Sequence, residues 1–171
     1  MKKLVLMLGG IALVGTLAWA NWPERCLSKE LVANRVVVDK SDGTLTLFRG
    51  DKVLKSYSVA LGRGAAGAKA REGDNETPEG NYRIVAHVRD SQFHRALRVS
   101  YPNASDEAHA RQLGLEPGSD IMIHGIKNGL GWVGRMQRWV NWTAGCVAVT
   151  DPEIEQIYAA VPDGTVVEIR K

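Results

Sequence analysis

RVVVDKSDGTLTLFRGDKVLKSYSVAL, residues 35–61, is the stretch on which the fold turns. It holds three β-prone runs, Arg35 to Asp39, Thr44 to Arg49 and Val53 to Leu61, with Asp42, Gly43 and then Gly50, Asp51 where the chain must reverse. Glycine reaches positive φ without a steric penalty and aspartate caps turns through its own backbone, so the pattern spells a hairpin meander. Five more such runs follow: Tyr82 to Val88, Leu97 to Ser100, Ile121 to His124, Cys146 to Val149 and Thr165 to Ile169. Helical signals are fewer. One helix is predicted from Asp151 or Pro152 to Val161, with Ile154, Ile157, Tyr158 and Val161 at helical spacing and Thr150 with Glu153 as a capping box. A second spans Ser105 to Leu113 and stops at Gly114. No internal repeat appears, so the chain reads as a mostly β domain with a few packed helices.

The opening 20 residues carry Lys2 and Lys3, an uncharged apolar stretch from Leu4 to Leu17, and the small-x-small ending Ala18, Trp19, Ala20. That pattern predicts a secretory signal peptide over 1–20, an arm over 21–34 and one catalytic-sized domain over 35–171. An uncleaved anchor is the alternative, although the apolar stretch is short of the ~20 residues a spanning helix needs. A lipid-modified Cys26 is not expected, because Pro23, Glu24 and Arg25 are not a small apolar context. The chain has 22 basic and 19 acidic residues; without residues 1–20, whose only charges are Lys2 and Lys3, the remaining 151 residues carry 20 against 19. A near-neutral balance gives no electrostatic reason for a nucleic-acid partner. An exported protein of the periplasm or cell envelope, monomeric, is expected.

The chemistry concentrates in two short segments 22 positions apart, His124-Gly125 and Thr143-Ala144-Gly145-Cys146. A cysteine attacks as its thiolate, and a neighbouring imidazole is the usual activator. His124 ends the apolar run Ile121, Met122, Ile123, which delivers it to a sheet edge, and Gly125 frees the turn behind it. A buried structural cysteine beside a core histidine fits the same spacing. So does a Cys26–Cys146 disulfide, which would extinguish the thiol.

Between Gly62 and Gly80 runs a long polar loop, GRGAAGAKAREGDNETPEG. Its Gly62, Gly64 and Gly67 match G-x-G-x-x-G, but Glu72, Gly73, Asp74 and Thr77, Pro78 enforce turns where a phosphate site needs a helix. A loop of this length in a small domain is more often functional than passive, and lining a substrate is the expected role.

Taken together, Thr77-Pro78-Glu79-Gly80 before a strand, IMIHG (Ile121 to Gly125) and TAGCVAVTD (Thr143 to Asp151) resemble the L,D-transpeptidase catalytic (YkuD) domain over roughly Val36 to Ile169. The resemblance implies a β-sandwich or barrel-like sheet with a few packed short helices. It also implies an enzyme whose cysteine attacks a peptidoglycan stem peptide at the diaminopimelate carbonyl, with an amine resolving the acyl-enzyme and no cofactor. On that pattern Cys146 is the nucleophile, His124 the base, and the Gly125 carbonyl the group that orients the imidazole. The N–H groups of Gly145 and Cys146 are then the expected oxyanion hole, with Gly145 small so as not to crowd the tetrahedral intermediate.

Two positions depart from the commonest family pattern. Ala144 stands where many members carry histidine, and Ala148 where many carry arginine. Lys127 and Arg138, with Asn128, Trp142 and Thr143, are the candidate substrate-binding residues in the segment between base and nucleophile; Arg135 lies there too, and solvated surface charge is the alternative for each basic residue. The run Lys69 to Asp74, the segment SYPN with Asp106, Ala108 and His109, and Ala148 itself look like the branch that includes hydrolytic members, one of which releases a wall-attached lipoprotein. Water and amine compete for one acyl-enzyme. Amine transfer is the first expectation, hydrolysis the alternative, and a catalytically silent wall-binding module the competing class. Trp132 and Trp139 are expected to pack as a hydrophobic flap over the sheet, with lining a stem-peptide groove the alternative; Trp142, near Cys146, is expected to line that groove, with the flap the alternative. His87, His94 and His109 lack metal-ligand spacing, so no metal is predicted.

Overall fold

Alternation in Arg35–Asp39 (β1) and Thr44–Arg49 (β2) drives Val36, Val38, Leu45 and Leu47 to one buried face, and the turn at Gly43 pairs the two strands antiparallel. Lys52–Ser58 (β3) folds back on β2 to complete the meander. The computed structural model, which describes residues 12–23, 26–28 and 30–171, continues this into one mixed sheet of eight strands. The others are Gly80–Ser91 (β4), His94–Val99 (β5), Met122–His124 (β6), Val147–Ala148 (β7) and Val166–Arg170 (β8), and the order is β3-β2-β1-β8-β4-β5-β6-β7. β1 runs parallel to β8 and β6 parallel to β7; the other pairs are antiparallel.

The sheet curls until its two ends meet. Ala60, beyond the end of β3, exchanges both backbone hydrogen bonds with Ala148 of β7, at 2.9 and 2.8 Å, and Gly62 bridges to Thr143. The strand expected over Val53 to Leu61 therefore stops at Ser58, because its last residues leave β2 to close the seam. Of the two forms the resemblance implies, a β-sandwich or a barrel-like sheet, this is the second.

Two helices pack on it. Ala104–Leu113 (α1) begins at Asn103, whose side chain accepts from the Ser105 and Asp106 amides, and ends at Gly114 with φ 68°. Asp151–Ala160 (α2) is capped by Glu153, whose Oε2 accepts from both the amide and the hydroxyl of Thr150. Ile154 and Ile157 of α2 join Leu97, Ile123, Val147, Val149 and Val167 in the core. Ala33, in the expected arm, is buried there too, and its amide donates to Ala160.

Residues 12–20 are helical, and no described helix is long and apolar enough to cross a membrane. Lys2, Lys3 and the first part of the apolar stretch lie outside the described residues, as do Glu24 and Arg25.

Candidate active site

The parallel pairing of β6 and β7 sets His124 level with Ala148 and Ile123 level with Val147. Counting back along β7 places Cys146 level with Met122, two residues from His124, so the side chains of Cys146 and His124 belong to the same face. Ile123 and Val147 point to the core on the other. The seam at Ala60–Ala148 lies two residues past Cys146, so the site is built where the sheet closes.

His124 is 3% exposed, and its Nδ1 lies 2.7 Å from the carbonyl oxygen of Gly125. A carbonyl only accepts, so Nδ1 carries the proton and Nε2 keeps its lone pair. The ring packs against two aromatics that also touch each other, Phe93 at 4.5 Å between centroids and Trp142 at 5.7 Å edge-on, with 5.9 Å between those two. Burial pushes the imidazole below its ordinary pKa, and the Gly125 carbonyl offsets part of that shift. Burial pushes the Cys146 thiol the other way, upward; the Met122 amide opposes this, Asp120 adds to it and Lys69 opposes it. Each environment favours the neutral form. Both shifts favour a thiol beside a neutral imidazole over a thiolate–imidazolium pair. Cys26 and Cys146 are both thiols.

The loop from Gly62 to Gly80 packs against the turn that precedes Cys146, Glu76 facing Gly145. Asp74 is its hub, accepting from Lys69 Nζ at 2.7 Å and from the amides of Ala70, Arg71 and Glu76 at 2.8 to 3.0 Å. Burial alone would raise the Asp74 carboxyl, but Lys69 and the three amides outweigh it and hold the pKa at about 2. The glycines expected not to be a phosphate site have a packing reason instead. A Cβ on Gly62 would lie 2.2 Å from the Asn75 carbonyl oxygen, and one on Gly64 2.4 Å from that of Asp74, so the two limbs of the loop touch backbone to backbone. Thr77 ties the limbs together by accepting from the Gly62 amide at 2.9 Å, and Glu79 pairs with Lys40 at 2.7 Å. Gly145 belongs to the same packing. Its φ is 127°, and a Cβ there would meet the Glu76 carbonyl oxygen at 2.7 Å. Contact with the loop thus gives this glycine a packing reason beside the expected one, room for a tetrahedral intermediate.

The candidate substrate residues fall in different places. Trp142 borders His124, and its indole N–H donates to Gln137. Thr143 is buried and braces the turn, its hydroxyl donating to the Cys146 carbonyl at 2.7 Å and accepting from the Gly145 amide at 3.2 Å. That Gly145 N–H, expected in the oxyanion hole, thus already has an acceptor. Asn128 is exposed and clamps the β4–β5 turn, accepting from the His94 amide and donating to the Ser91 carbonyl. Arg138 is turned toward Glu153 of α2, which holds its guanidinium in an ion pair. Lys127 is exposed and lines a groove with Ile126, Leu130, Met136 and Trp142. Ala148 is fully buried in the seam, and Ala144 is exposed.

Phe93 and Asp120 are absent from the sequence reading. Phe93 sits at the tip of a hairpin whose partner strands are distant in the chain from His124, and nothing local in SQFH signals that contact. Asp120, at a positive φ of 58°, places its carbonyl 3.5 Å from Cys146 Sγ and pairs its carboxylate with Arg98. Among the described residues no three His, Cys, Asp or Glu side chains are grouped to hold a metal ion.

The model of the L,D-transpeptidase catalytic domain, YkuD, matches residues 33–169. The chain is 30% identical over 132 residues to the protein named "Putative L,D-transpeptidase YafK" from Escherichia coli K12, covering 74% of this chain and 46% of the relative. Among solved structures, the helical cell shape determining protein Pgp2 of Campylobacter jejuni superposes with a TM-score of 0.63 at 22% identity, over 91% of this chain and 54% of that one. Bd1075 of Bdellovibrio bacteriovorus gives 0.55 at 21%, over 88% and 52%. L,D-transpeptidase 1 of Mycobacterium tuberculosis gives 0.50 at 18%, over 81% and 62%, and carries the same fold. The chain spans about half the length of the relatives it matches.

Proposed function

The chain belongs to the L,D-transpeptidase catalytic domain (YkuD) family, and from that membership we propose that it is an exported acyltransferase that loads a peptidoglycan stem peptide on Cys146 and passes it to an amine. The observation that carries the reading is the fixed tautomer of His124. With Nδ1–H held by Gly125, Nε2 is the base on the face that Cys146 shares.

The reaction follows from that arrangement. Sγ bonds to the stem carbonyl carbon as its proton passes to Nε2, giving a tetrahedral oxyanion and an imidazolium. Collapse breaks the C–N bond, and the imidazolium returns the proton to the departing D-amino acid amine. The thioester is then attacked by an acceptor amine that loses its proton to Nε2. Expulsion of the sulfur, which regains that proton, restores the thiol. A buried neutral pair suits this sequence, since no ion pair has to be broken before attack.

Hydrolysis of the same thioester is the second reading, favoured by Ala148. Its side chain is sealed in the seam, so the position where relatives of the commoner pattern carry arginine offers a carboxylate nothing here. The free thiol of Cys146 argues against a silent wall-binding module. Incubating the purified protein with tetrapeptide stems separates these readings. Cross-linked dimers support transfer, tripeptide or a released wall-attached lipoprotein supports hydrolysis, and no product with no Cys146 adduct defeats both.

A further inference from the structure

Trp132 and Trp139 do not pack over the sheet. They lie in Gly131–Trp139, a pair of 3-10 turns kinked at Gly134, and are 60% and 65% exposed, with Val140 at 65% and Leu130 at 44% beside them. So much apolar surface in eleven residues is unusual for a free face.

The end of the leader is seated on the same turns. Trp19 stacks on Trp139, centroids 6.5 Å apart and planes within 20°. Arg135 donates to the carbonyls of Trp19 and Trp22, at 3.3 and 2.9 Å, and Asn21 donates to the carbonyl of Trp132 at 2.9 Å. Ala20 is buried, and its carbonyl oxygen would lie 2.4 Å from a Cβ on Gly134, so only glycine lets the two backbones approach. Trp19 and Trp22 are themselves 50% and 68% exposed. Trp19 and Trp139 thus meet ring to ring, Trp22 and Trp132 are tied in through their carbonyls, to Arg135 and Asn21, and all four are half or more exposed at the foot of the helix over 12–20, which continues the uncharged apolar run that begins at Leu4.

We propose that, in the chain that keeps residues 1–20 as the uncleaved anchor, the patch formed by Leu130, Trp132, Trp139, Val140, Trp19 and Trp22 docks on the surface of a lipid bilayer, in the headgroup layer at the foot of the apolar leader. Indole is the side chain best suited to that layer, with an apolar body for the acyl boundary and an N–H for water or headgroups. A glycan strand also stacks on indole rings, but Val140 and Leu130 at the rim give its hydroxyls nothing to bond. The docked face is the outer side of the turns whose Gln137 holds Trp142, so the domain would sit with those turns against the membrane. This inference stands apart from the chemistry at Cys146.

The test uses the full chain labelled with 5-fluorotryptophan, its five fluorine resonances assigned by single Trp→Phe variants, in phosphatidylcholine nanodiscs. The Trp132 and Trp139 resonances are expected to be shielded from a water-soluble gadolinium chelate when discs are present and exposed to it when they are absent. A second measurement compares partition into phosphatidylcholine vesicles. Trp132→Ser/Trp139→Ser should lower it at least tenfold, whereas Val53→Ser/Val85→Ser, two sites 54% and 49% exposed elsewhere, should leave it unchanged. Gadolinium broadening of both resonances in the discs overturns the proposal. So does equal partition of the two double variants, or a shift of these resonances by soluble glycan strands in place of lipid.

Discussion

At the scale of single residues, the protonation state of the His124–Cys146 pair is open to direct measurement. A raised thiol and a lowered imidazole mean that Cys146 is not a standing thiolate. Its alkylation by iodoacetamide, followed by mass on the Cys146 peptide, should climb with pH beyond the ordinary thiol value of 9.0. A plateau near neutrality would show a thiolate–imidazolium pair instead. Cys146→Ala should abolish any acyl adduct, including one formed with a carbapenem. Gly145 gives a stability test. Gly145→Ala combines φ 127° with a contact at 2.7 Å from backbone, and should cost about 2–4 kcal/mol in urea unfolding. Gly43→Ala has φ 61° but nothing nearer than 3.9 Å, and should cost about 1 kcal/mol.

At the scale of elements, the loop from Gly62 to Gly80 behaves as a folded unit around the Lys69–Asp74 pair, whose side chains are 4% and 9% exposed. Lys69→Met leaves a buried carboxylate with only its backbone donors and should cost about 3 kcal/mol. Lys69→Met/Asp74→Asn should recover part of that loss, and a double variant weaker than the sum of the singles would refute the pairing. This element also marks where the sequence stops being readable. β1, β2 and α1 follow from alternation, Gly43 and the Asn103 to Gly114 caps, all local signals, and their observed ends fall within a residue of the expected ones. The turn Thr77 to Gly80, IMIHG and TAGC point to the site through their joint resemblance to the family pattern. What was not readable is non-local. Ala60 meets Ala148 across 88 positions, Phe93 reaches His124 from a hairpin tip, and Gly145 answers to a carbonyl 69 positions earlier. No local propensity encodes such contacts; they exist only once the sheet has closed.

At the scale of the molecule, three groups around the seam bound the pH range in which the fold is most stable. Asp74 titrates at about 2 in the fold against an ordinary 3.8, so between those values the unfolded chain binds the extra proton and stability falls with falling pH, by about 2 kcal/mol in all. His124 acts in the same sense and earlier. Its folded form resists the proton that an unfolded imidazole accepts near 6.5, so the decline begins as the pH drops below that value. Cys146 sets the alkaline edge with the opposite sign. Its folded thiol holds its proton above the ordinary 9.0, the unfolded thiol releases it there, and stability falls as pH rises past that point. The urea midpoint should therefore be flat between about 6.5 and 9 as far as these groups are concerned. His124→Gln should move the acid shoulder down toward the Asp74 window, Asp74→Asn should flatten that window, and Cys146→Ala should remove the alkaline decline. If Cys146→Ala left the alkaline limb unchanged while His124→Gln shifted the acid one, the thiol would be ordinary in the fold, and the neutral-pair account of the site would lose its sulfur half.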